Sequence, residues 1–206
     1  MESKICMPTK QEVEFLKKHF QSLDVLDLYP QGEYISLIDR YPCSLTEDEI
    51  EHEPLSYSRE WKPASKEKQK YLSYEKRFLR FFSSVYHYHN KQQVFVYCRD
   101  FADITHICLE YAEDTHARNI AAKVMAELKE SNQGLFKTSD LATLEVFVTL
   151  TLREAMYCNF FFVDSLSVLI GSFEMTFLLY CTDPETLKKY KDIAIESDLF
   201  ARKPNR

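Results

Sequence analysis

The most reactive arrangement in the sequence is a cysteine that follows an apolar run. Residues 94–97 (VFVY) favour a strand, and Cys98 comes next, followed directly by Arg99. Such an order can place a thiolate at the N-terminus of the next helix, where backbone N–H groups stabilise negative charge. Here Asp100 and Asp103 stand where an anion would bind, and nearby carboxylates raise the pKa of a thiol. We therefore predict that Cys98 is a buried structural cysteine.

A second set of candidate catalytic residues is charged and dispersed. Arg153 and Glu154 follow a long apolar run, and charges in such surroundings either find partners or line a cavity. Together with Arg99 and Asp100 they form the set from which an enzyme site can be assembled. The chain has only 3 glycines and carries no GxSxG, Gly-rich phosphate-binding or HExxH motif. We predict no catalytic residue and no cofactor, and keep an enzyme as the alternative.

The histidines and cysteines lack the spacing of a metal site. His87 and His89 lie two positions apart, so on a helix their side chains point in different directions. His106 and His116 do not form a ligand pair by spacing, and no CxxC pair is present. We therefore predict no metal site.

A dense group of carboxylates gives the clearest indication of binding. Five acidic residues fall between positions 47 and 53, and like charges so close together suit a basic partner surface. Tyrosine and tryptophan, which often anchor interfaces, follow a few positions later. The predicted partner-binding residues are Glu47, Asp48, Glu49, Glu51, Glu53, Tyr57 and Trp61.

The overall charge narrows the class of partner. Since 32 acidic residues outnumber 26 basic ones, the formal net charge is −6. This charge opposes binding to nucleic acid phosphates and to anionic membrane surfaces. A cationic protein is the partner that it suits, and we predict neither nucleic acid nor membrane binding.

Cysteine usage and hydropathy predict the compartment. Four of the 6 cysteines lie inside apolar runs, as buried thiols do. The N-terminus lacks the apolar segment of a secretory signal. Asp164 and Glu174 interrupt the apolar stretch 155–181, which leaves runs far shorter than the ~20 residues of a membrane span. We therefore expect a cytoplasmic protein.

Helical spacing of apolar residues predicts much of the regular structure. Thr9 and Glu12 form a capping-box pattern before the first helix, and Asp183-Pro184 opens the last one. The predicted helices span 9–23, 65–90, 100–111, 115–131 and 183–197, with a short acidic helical turn within 45–53 and strands near 34–38 and 93–98.

Two regions are harder to assign. Residues 24–65 hold four of the 7 prolines and are predicted to be irregular. In segment 139–158, alternating Leu144, Val146 and Val148 fit a strand, although apolar residues also recur at helical spacing behind Asp140. We favour a buried helix there because the apolar run extends past the usual length of a strand.

The predicted fold class is α+β. Residues 160–163, 167–171 and 174–180 read as successive strands joined by turns. We expect a predominantly helical N-terminal and central part packed with a small antiparallel C-terminal sheet of about three strands, residues 160–181, closed by helix 183–197. The chain, 1–206, is predicted to form a single globular domain.

The sequence therefore favours a non-catalytic protein-binding domain that uses an acidic surface. A bacterial immunity or antitoxin-type inhibitor is the concrete form of this prediction. An enzyme with a dispersed site (Arg99, Asp100, Arg153, Glu154) is the alternative, and a structural or regulatory subunit that forms a homodimer through an aromatic face is the third class.

Overall fold

An eight-stranded sheet organises the protein. The computed structural model describes residues 5–20, 22–23, 34–101 and 105–204. All neighbouring strands are antiparallel, and their order is β1-β4-β3-β5-β6-β7-β2-β8. The strands are β1 (Ile5–Cys6), β2 (Ile35–Asp39), β3 (Val94–Cys98), β4 (Leu135–Thr138), β5 (Cys158–Phe162), β6 (Ser167–Ser172), β7 (Thr176–Tyr180) and β8 (Phe200–Arg202).

The helices begin where side chains can cap them. Ser65, Asp114, Asp140 and Asp183 each accept a hydrogen bond from a backbone N–H in the first turn of the helix that follows. The helices are α1 (Lys10–Phe20), α2 (Glu47–Ile50), α3 (Lys66–Tyr88), α4 (Thr105–Tyr111), α5 (Thr115–Ser131), α6 (Leu141–Leu152) and α7 (Pro184–Glu196).

The small three-stranded C-terminal sheet predicted over 160–181 is wrong. Its three strands exist as β5, β6 and β7, but β3, β4 and β1 extend the sheet on one side, and β2 and β8 extend it on the other. The N-terminal and central part is therefore not merely helical, since it supplies four of the eight strands. The prediction failed because β1, β4 and β8 are too short to show a period of two.

The ambiguous segment 139–158 contains a helix, α6, followed by the start of β5. Side chains on most of the helix circumference are buried, among them Leu144, Phe147 and Leu150, so the helix lies inside the core. The helical prediction is confirmed. Of the segment predicted to be irregular, residues 24–33 lie outside the described part of the chain, and the remainder includes β2 and α2.

The main core lies between one face of the sheet and helices α3, α5, α6 and α7. The aromatic stripe of α3, which comprises Tyr71, Tyr74, Phe78, Phe81 and Phe82, faces inward. The Phe82 ring lies 5.0 Å from the Phe160 ring and 4.9 Å from the Phe177 ring between centroids. Edge-on ring pairs at such distances are favourable. The aromatic residues of α3 therefore belong mostly to the core.

A smaller apolar cluster lies on the opposite face of the sheet. Helix α1 buries Leu16 and Phe20 there, and the Phe20 ring lies 5.0 Å from the Phe161 ring of β5. The side chain of Asn159, buried on the same face, donates a hydrogen bond of 3.0 Å to the carbonyl oxygen of Leu23. Within the described residues, no helix has the length and apolar character needed to cross a membrane.

Candidate functional site

The acidic segment, residues 45–53, surrounds the short helix α2. Its first turn is closed by a capping box: the Thr46 hydroxyl accepts from the Glu49 backbone N–H at 3.4 Å, and the Thr46 backbone N–H donates to Glu49 Oε2 at 2.8 Å. The hydrogen bond from the Thr46 backbone lowers the pKa of Glu49. The local sequence Thr-x-x-Glu thus explains why the chain turns into a helix at this point.

The C-terminal end of the acidic segment is fixed to α3. Glu53 accepts hydrogen bonds of 2.6 Å from both Lys70 Nζ and the Tyr41 hydroxyl. Partial burial raises the pKa of Glu53, but the hydrogen bonds from Lys70 and Tyr41 outweigh that effect, so its pKa is lowered. This carboxylate holds the end of the segment against α3 and Tyr41.

A buried arginine, Arg40, lies just after the end of β2. The Arg40 guanidinium is 4.9 Å from the centroid of the Tyr41 ring and 5.3 Å from that of Tyr74, and Nη1 donates to the Glu174 carbonyl at 3.1 Å. Stacking against aromatic faces partly compensates a desolvated cation. The two rings fix the point at which the chain leaves β2 for the acidic segment.

The remaining carboxylates of the segment point to solvent. Glu47, Asp48 and Glu51 are exposed, and within the described residues they make no ion pair. Ile50, between them, is 41% exposed. Charges without an internal partner around an exposed apolar side chain can receive a cationic surface.

A shallow cavity of about 500 Å³ lies beside α2. Pro42 and Leu45 contribute apolar lining, whereas Asp48, Glu49 and Glu53 contribute carboxylates. Lysine and arginine side chains combine an apolar stem with a cationic tip, so they match this lining.

The two aromatic residues predicted as interface anchors, Tyr57 and Trp61, are packed against α3. Tyr57 is 6% exposed and Trp61 is half-buried. Their ring centroids lie 5.7 Å apart, and those of Tyr57 and Trp61 are 5.3 and 5.7 Å from that of Tyr71. The structure thus places these aromatics where they secure the chain after the acidic segment, and places the carboxylates where a partner can reach them.

Arg153 forms the centre of a second charged region, which is buried. Its Nε and Nη2 donate to the two carboxylate oxygens of Glu75 at 2.7 and 2.9 Å, and Nη1 donates to the Tyr111 carbonyl at 2.8 Å. The guanidinium carbon also lies 4.5 Å from the centroid of the Tyr57 ring. Paired hydrogen bonds of this kind fix both groups, and Arg153 is only 7% exposed.

Glu113 extends this pairing into what we call the Arg153 network, formed by Tyr57, Lys68, Glu75, Glu113 and Arg153. Glu113 accepts hydrogen bonds from the Tyr57 hydroxyl and from Lys68 Nζ, the latter at 2.8 Å. Burial raises the pKa of Glu113, but these two bonds and the nearby Arg153 lower it overall. Burial and the bond to Glu113 raise the pKa of the Tyr57 hydroxyl. Every charge of the network therefore has a partner.

A cleft of about 380 Å³ lies next to the Arg153 network, between α3, α6 and the start of α5. Glu145 lines it and, within the described residues, makes no hydrogen bond or ion pair. Partial burial, with the Asp140 carboxylate as a smaller contribution, raises the pKa of Glu145. The cleft therefore offers one carboxylate that holds a proton more readily than usual, beside an arginine whose donors are engaged.

The residues of the alternative enzyme set are not gathered around this cleft. The lining of the cleft includes Arg153 but not Arg99, Asp100 or Glu154. Glu154 Oε1 accepts instead from the Glu174 backbone N–H at 2.9 Å. Asp100 is exposed, with a left-handed φ of 52°. The structure does not bring this set together in that cleft, and the enzyme alternative stays a prediction.

Sequence reasoning missed the partners of Arg153. A signal for Glu75 was present, because it lies four residues after Tyr71 and three before Phe78, on the buried face of α3. A carboxylate on such a face requires a buried cation. No comparable signal marks the other two charged residues of the network. Lys68 is half-buried in the first turn of α3, and Glu113 is exposed between α4 and α5.

No group of three or more histidine, cysteine, aspartate or glutamate residues in the described part of the chain is arranged to hold a metal ion. Comparison of the chain with protein-family models, with curated proteins and with solved structures finds no match in any of the three.

Proposed function

We propose that the protein is a non-catalytic binding domain whose acidic segment contacts a basic surface of a protein partner. An inhibitor of the immunity or antitoxin type, which covers a cationic functional surface of its target, is the specific form that we propose. The observation that carries the proposal is the set of exposed carboxylates, Glu47, Asp48 and Glu51, without ion pairs in the described structure, around the exposed side chain of Ile50.

The attachment of the segment supports this proposal. Tyr41, which precedes the segment, and Glu53, which ends it, are bonded to each other and packed against α3, and the Thr46 capping box shapes the helix between them. A surface held in one conformation before binding loses less conformational entropy on association. The carboxylates are thus presented in a defined arrangement.

The chemical composition of the surface also supports a protein partner. Interfaces commonly combine an apolar centre with a polar rim, and here Ile50 lies among carboxylates. Charges at the rim accelerate the encounter with a partner of opposite charge, and salt weakens that effect. We therefore expect binding that is fast at low salt and sensitive to ionic strength.

The third class of function is a structural or regulatory subunit that forms a homodimer through an aromatic face. The aromatic stripe of α3 cannot supply that face. Phe78, Phe81 and Phe82 are fully buried in the core of the protein chain. The homodimer remains an alternative that size measurement of the purified protein addresses directly.

The test is charge reversal of the acidic segment. The protein is isolated from its own cells at low salt, the co-purifying protein is identified and purified, and its affinity is measured for wild type and for the triple variant Glu47→Lys, Asp48→Lys, Glu51→Lys. We expect the dissociation constant to rise by at least about tenfold, which corresponds to about 1.4 kcal/mol. High salt is expected to weaken wild-type binding in the same direction.

A matched control separates the surface from the net charge. Glu130, Asp192 and Glu196 are exposed carboxylates outside the acidic segment, and their replacement by lysine changes the net charge equally. We expect this control to bind like wild type. Absence of any partner at low salt, or equal affinities of the two triple variants, overturns the proposal.

A further inference from the structure

We infer that Cys98 and Cys158 form a redox pair that closes reversibly into a cross-strand disulfide. The two residues lie directly opposite each other on the neighbouring strands β3 and β5. Their Sγ atoms are 3.7 Å apart, and both side chains are fully buried. The inference does not depend on the proposed binding function.

The strand register brings the two thiols together. The Arg99 backbone N–H donates to the Tyr157 carbonyl at 3.0 Å, which makes Cys98 and Cys158 a non-hydrogen-bonded pair of the antiparallel ladder. In such pairs the Cα atoms lie about 4.5 Å apart and the side chains approach closely. Disulfides span Cα separations of roughly 4.4–6.8 Å. The bond can therefore form by side-chain rotation without a change of register.

The reverse reaction is reduction by a small thiol. Because both cysteines are fully buried, we expect dithiothreitol to reopen the bond when local opening of the sheet admits it.

The oxidant that we propose is hydrogen peroxide, which is close to water in size. Loss of the proton from one thiol gives a thiolate that attacks peroxide, which forms a sulfenic acid and releases hydroxide; the proton and hydroxide make water. The second thiol then attacks the sulfenic sulfur, the S–S bond forms, and a second water leaves. Two thiols and one peroxide thus give one disulfide and two waters.

Burial determines how fast this reaction proceeds. The apolar surroundings raise the pKa of the Cys98 thiol, so little thiolate is present while the sheet is closed. Exposed Cys6 and Cys43 are expected to react with peroxide first. The Cys98–Cys158 bond therefore forms more slowly, when local opening of the sheet admits the oxidant.

A third thiol lies nearby. Cys108 is buried, and its Sγ donates to the Ala155 carbonyl at 3.5 Å. Its interaction with Cys158 contributes to the raised pKa of Cys108, although burial is the larger cause. Because it does not face either cysteine across a strand pair, we expect it to remain a thiol.

The test uses the full chain with Cys6→Ser and Cys43→Ser, which removes the exposed thiols. The folded protein is treated with hydrogen peroxide, alkylated, digested without reduction and analysed by mass spectrometry. We expect a linked peptide containing Cys98 and Cys158, which dithiothreitol removes, and a higher midpoint of thermal unfolding for the oxidised protein.

Single substitutions test the assignment. Cys98→Ala and Cys158→Ala are each expected to abolish the linked peptide and the rise in the midpoint. Cys181→Ala is the matched control, since Cys181 is also buried but lies outside the strand pair, and it should retain both.

Two outcomes overturn the inference. One is the absence of a Cys98–Cys158 linkage in protein that circular dichroism shows to be folded. The other is a linkage that forms only in denatured protein or that joins Cys108 instead. Because the linkage is detected in the Cys6→Ser, Cys43→Ser chain, which keeps both Cys98 and Cys158, an alanine variant that fails to fold does not prevent the test.

Discussion

The acidic segment and the Arg153 network are both dense in charge, but they use it in opposite ways. In the network, Arg153, Glu75 and Glu113 are paired with one another and with neighbouring side chains. In the segment, Glu47 and Asp48 face water. A buried charge contributes to stability only while its partner remains, whereas an exposed charge contributes mainly to encounters with other molecules.

The same stretch of chain joins the two regions. The acidic segment ends at Glu53, and Tyr57 enters the Arg153 network four residues later. Both are attached to α3, through Lys70 and through Tyr71. The Arg153 network thus contributes to stability and the acidic segment to the proposed recognition, although they lie close together in the chain. Substitutions in the network should lower the free energy of unfolding, whereas substitutions in the segment should lower the affinity for a partner.

The largest effect is expected from Arg153→Met. This substitution leaves the Glu75 carboxylate buried without a cation, so the free energy of unfolding should fall by about 3–5 kcal/mol. Urea unfolding of the purified variant measures this loss. The double variant Glu75→Leu, Arg153→Met should recover most of it, because no unpaired charge then remains.

An exposed ion pair provides the control for Arg153. Arg80 pairs with Asp198 at 3.2 Å, and their side chains are 52% and 65% exposed. Arg80→Met should therefore cost less than about 1 kcal/mol. Equal losses for Arg80→Met and Arg153→Met would contradict the distinction between the two regions.

His89 extends the comparison to a buried group without a strong countercharge. Its Nε2 lies 3.0 Å from the Tyr190 hydroxyl, and its ring stacks on Phe162. Burial lowers the pKa of His89, although Asp164 raises it slightly. Since the unfolded chain binds a proton below about pH 6.5 and folded His89 does not, stability falls as the pH decreases from there to the lower folded pKa.

The measurement is urea unfolding between about pH 7.5 and pH 5.5, a window that begins above the unfolded histidine pKa. We expect His89→Gln to lessen the loss of stability on acidification by no more than about 1.4 kcal/mol per pH unit, the limit for one proton. His116→Gln, at an exposed position, should leave the wild-type slope intact. A wild-type slope in His89→Gln would show that His89 does not contribute.

The smallest effect on stability is expected in the acidic segment. The change is Glu47→Gln, Asp48→Asn and Glu51→Gln, which removes no ion pair in the described structure. Surface substitutions of this kind usually change the free energy of unfolding by less than about 0.5 kcal/mol. Thermal unfolding measures this. A loss as large as that of Arg153→Met would mean that these carboxylates have a structural role.

Local signals account for the parts of the fold that the sequence predicted. Thr9 with Glu12, Ser65 and Asp183 mark helix starts, and in the structure the side chain of each of these caps accepts a hydrogen bond from a backbone N–H group. The extent of the sheet was not predictable in this way. The strand β4 has four residues, and its place beside β3 depends on contacts with a strand far away in the chain.

The candidate site shows the same limit. Clustered carboxylates can be read directly from the sequence, because their effect on one another depends on short spacing. The burial of Tyr57 and Trp61 depends on Tyr71, which the sequence alone does not place beside them. The helical spacing of Glu75 indicates that it needs a buried cation, but no local pattern indicates that this cation is Arg153, which lies 78 positions away.

The position of β2 has a consequence for the order of events during translation. Ile35–Asp39 pairs with β7 and β8, so its partners are the residues between Thr176 and Arg202. Because a ribosome releases the chain from its N-terminus, β2 has no strand to pair with until β7 and β8 have been synthesised. The acidic segment follows β2 directly, so the strand that leads into the proposed binding surface is among the last elements to gain its neighbours in the sheet.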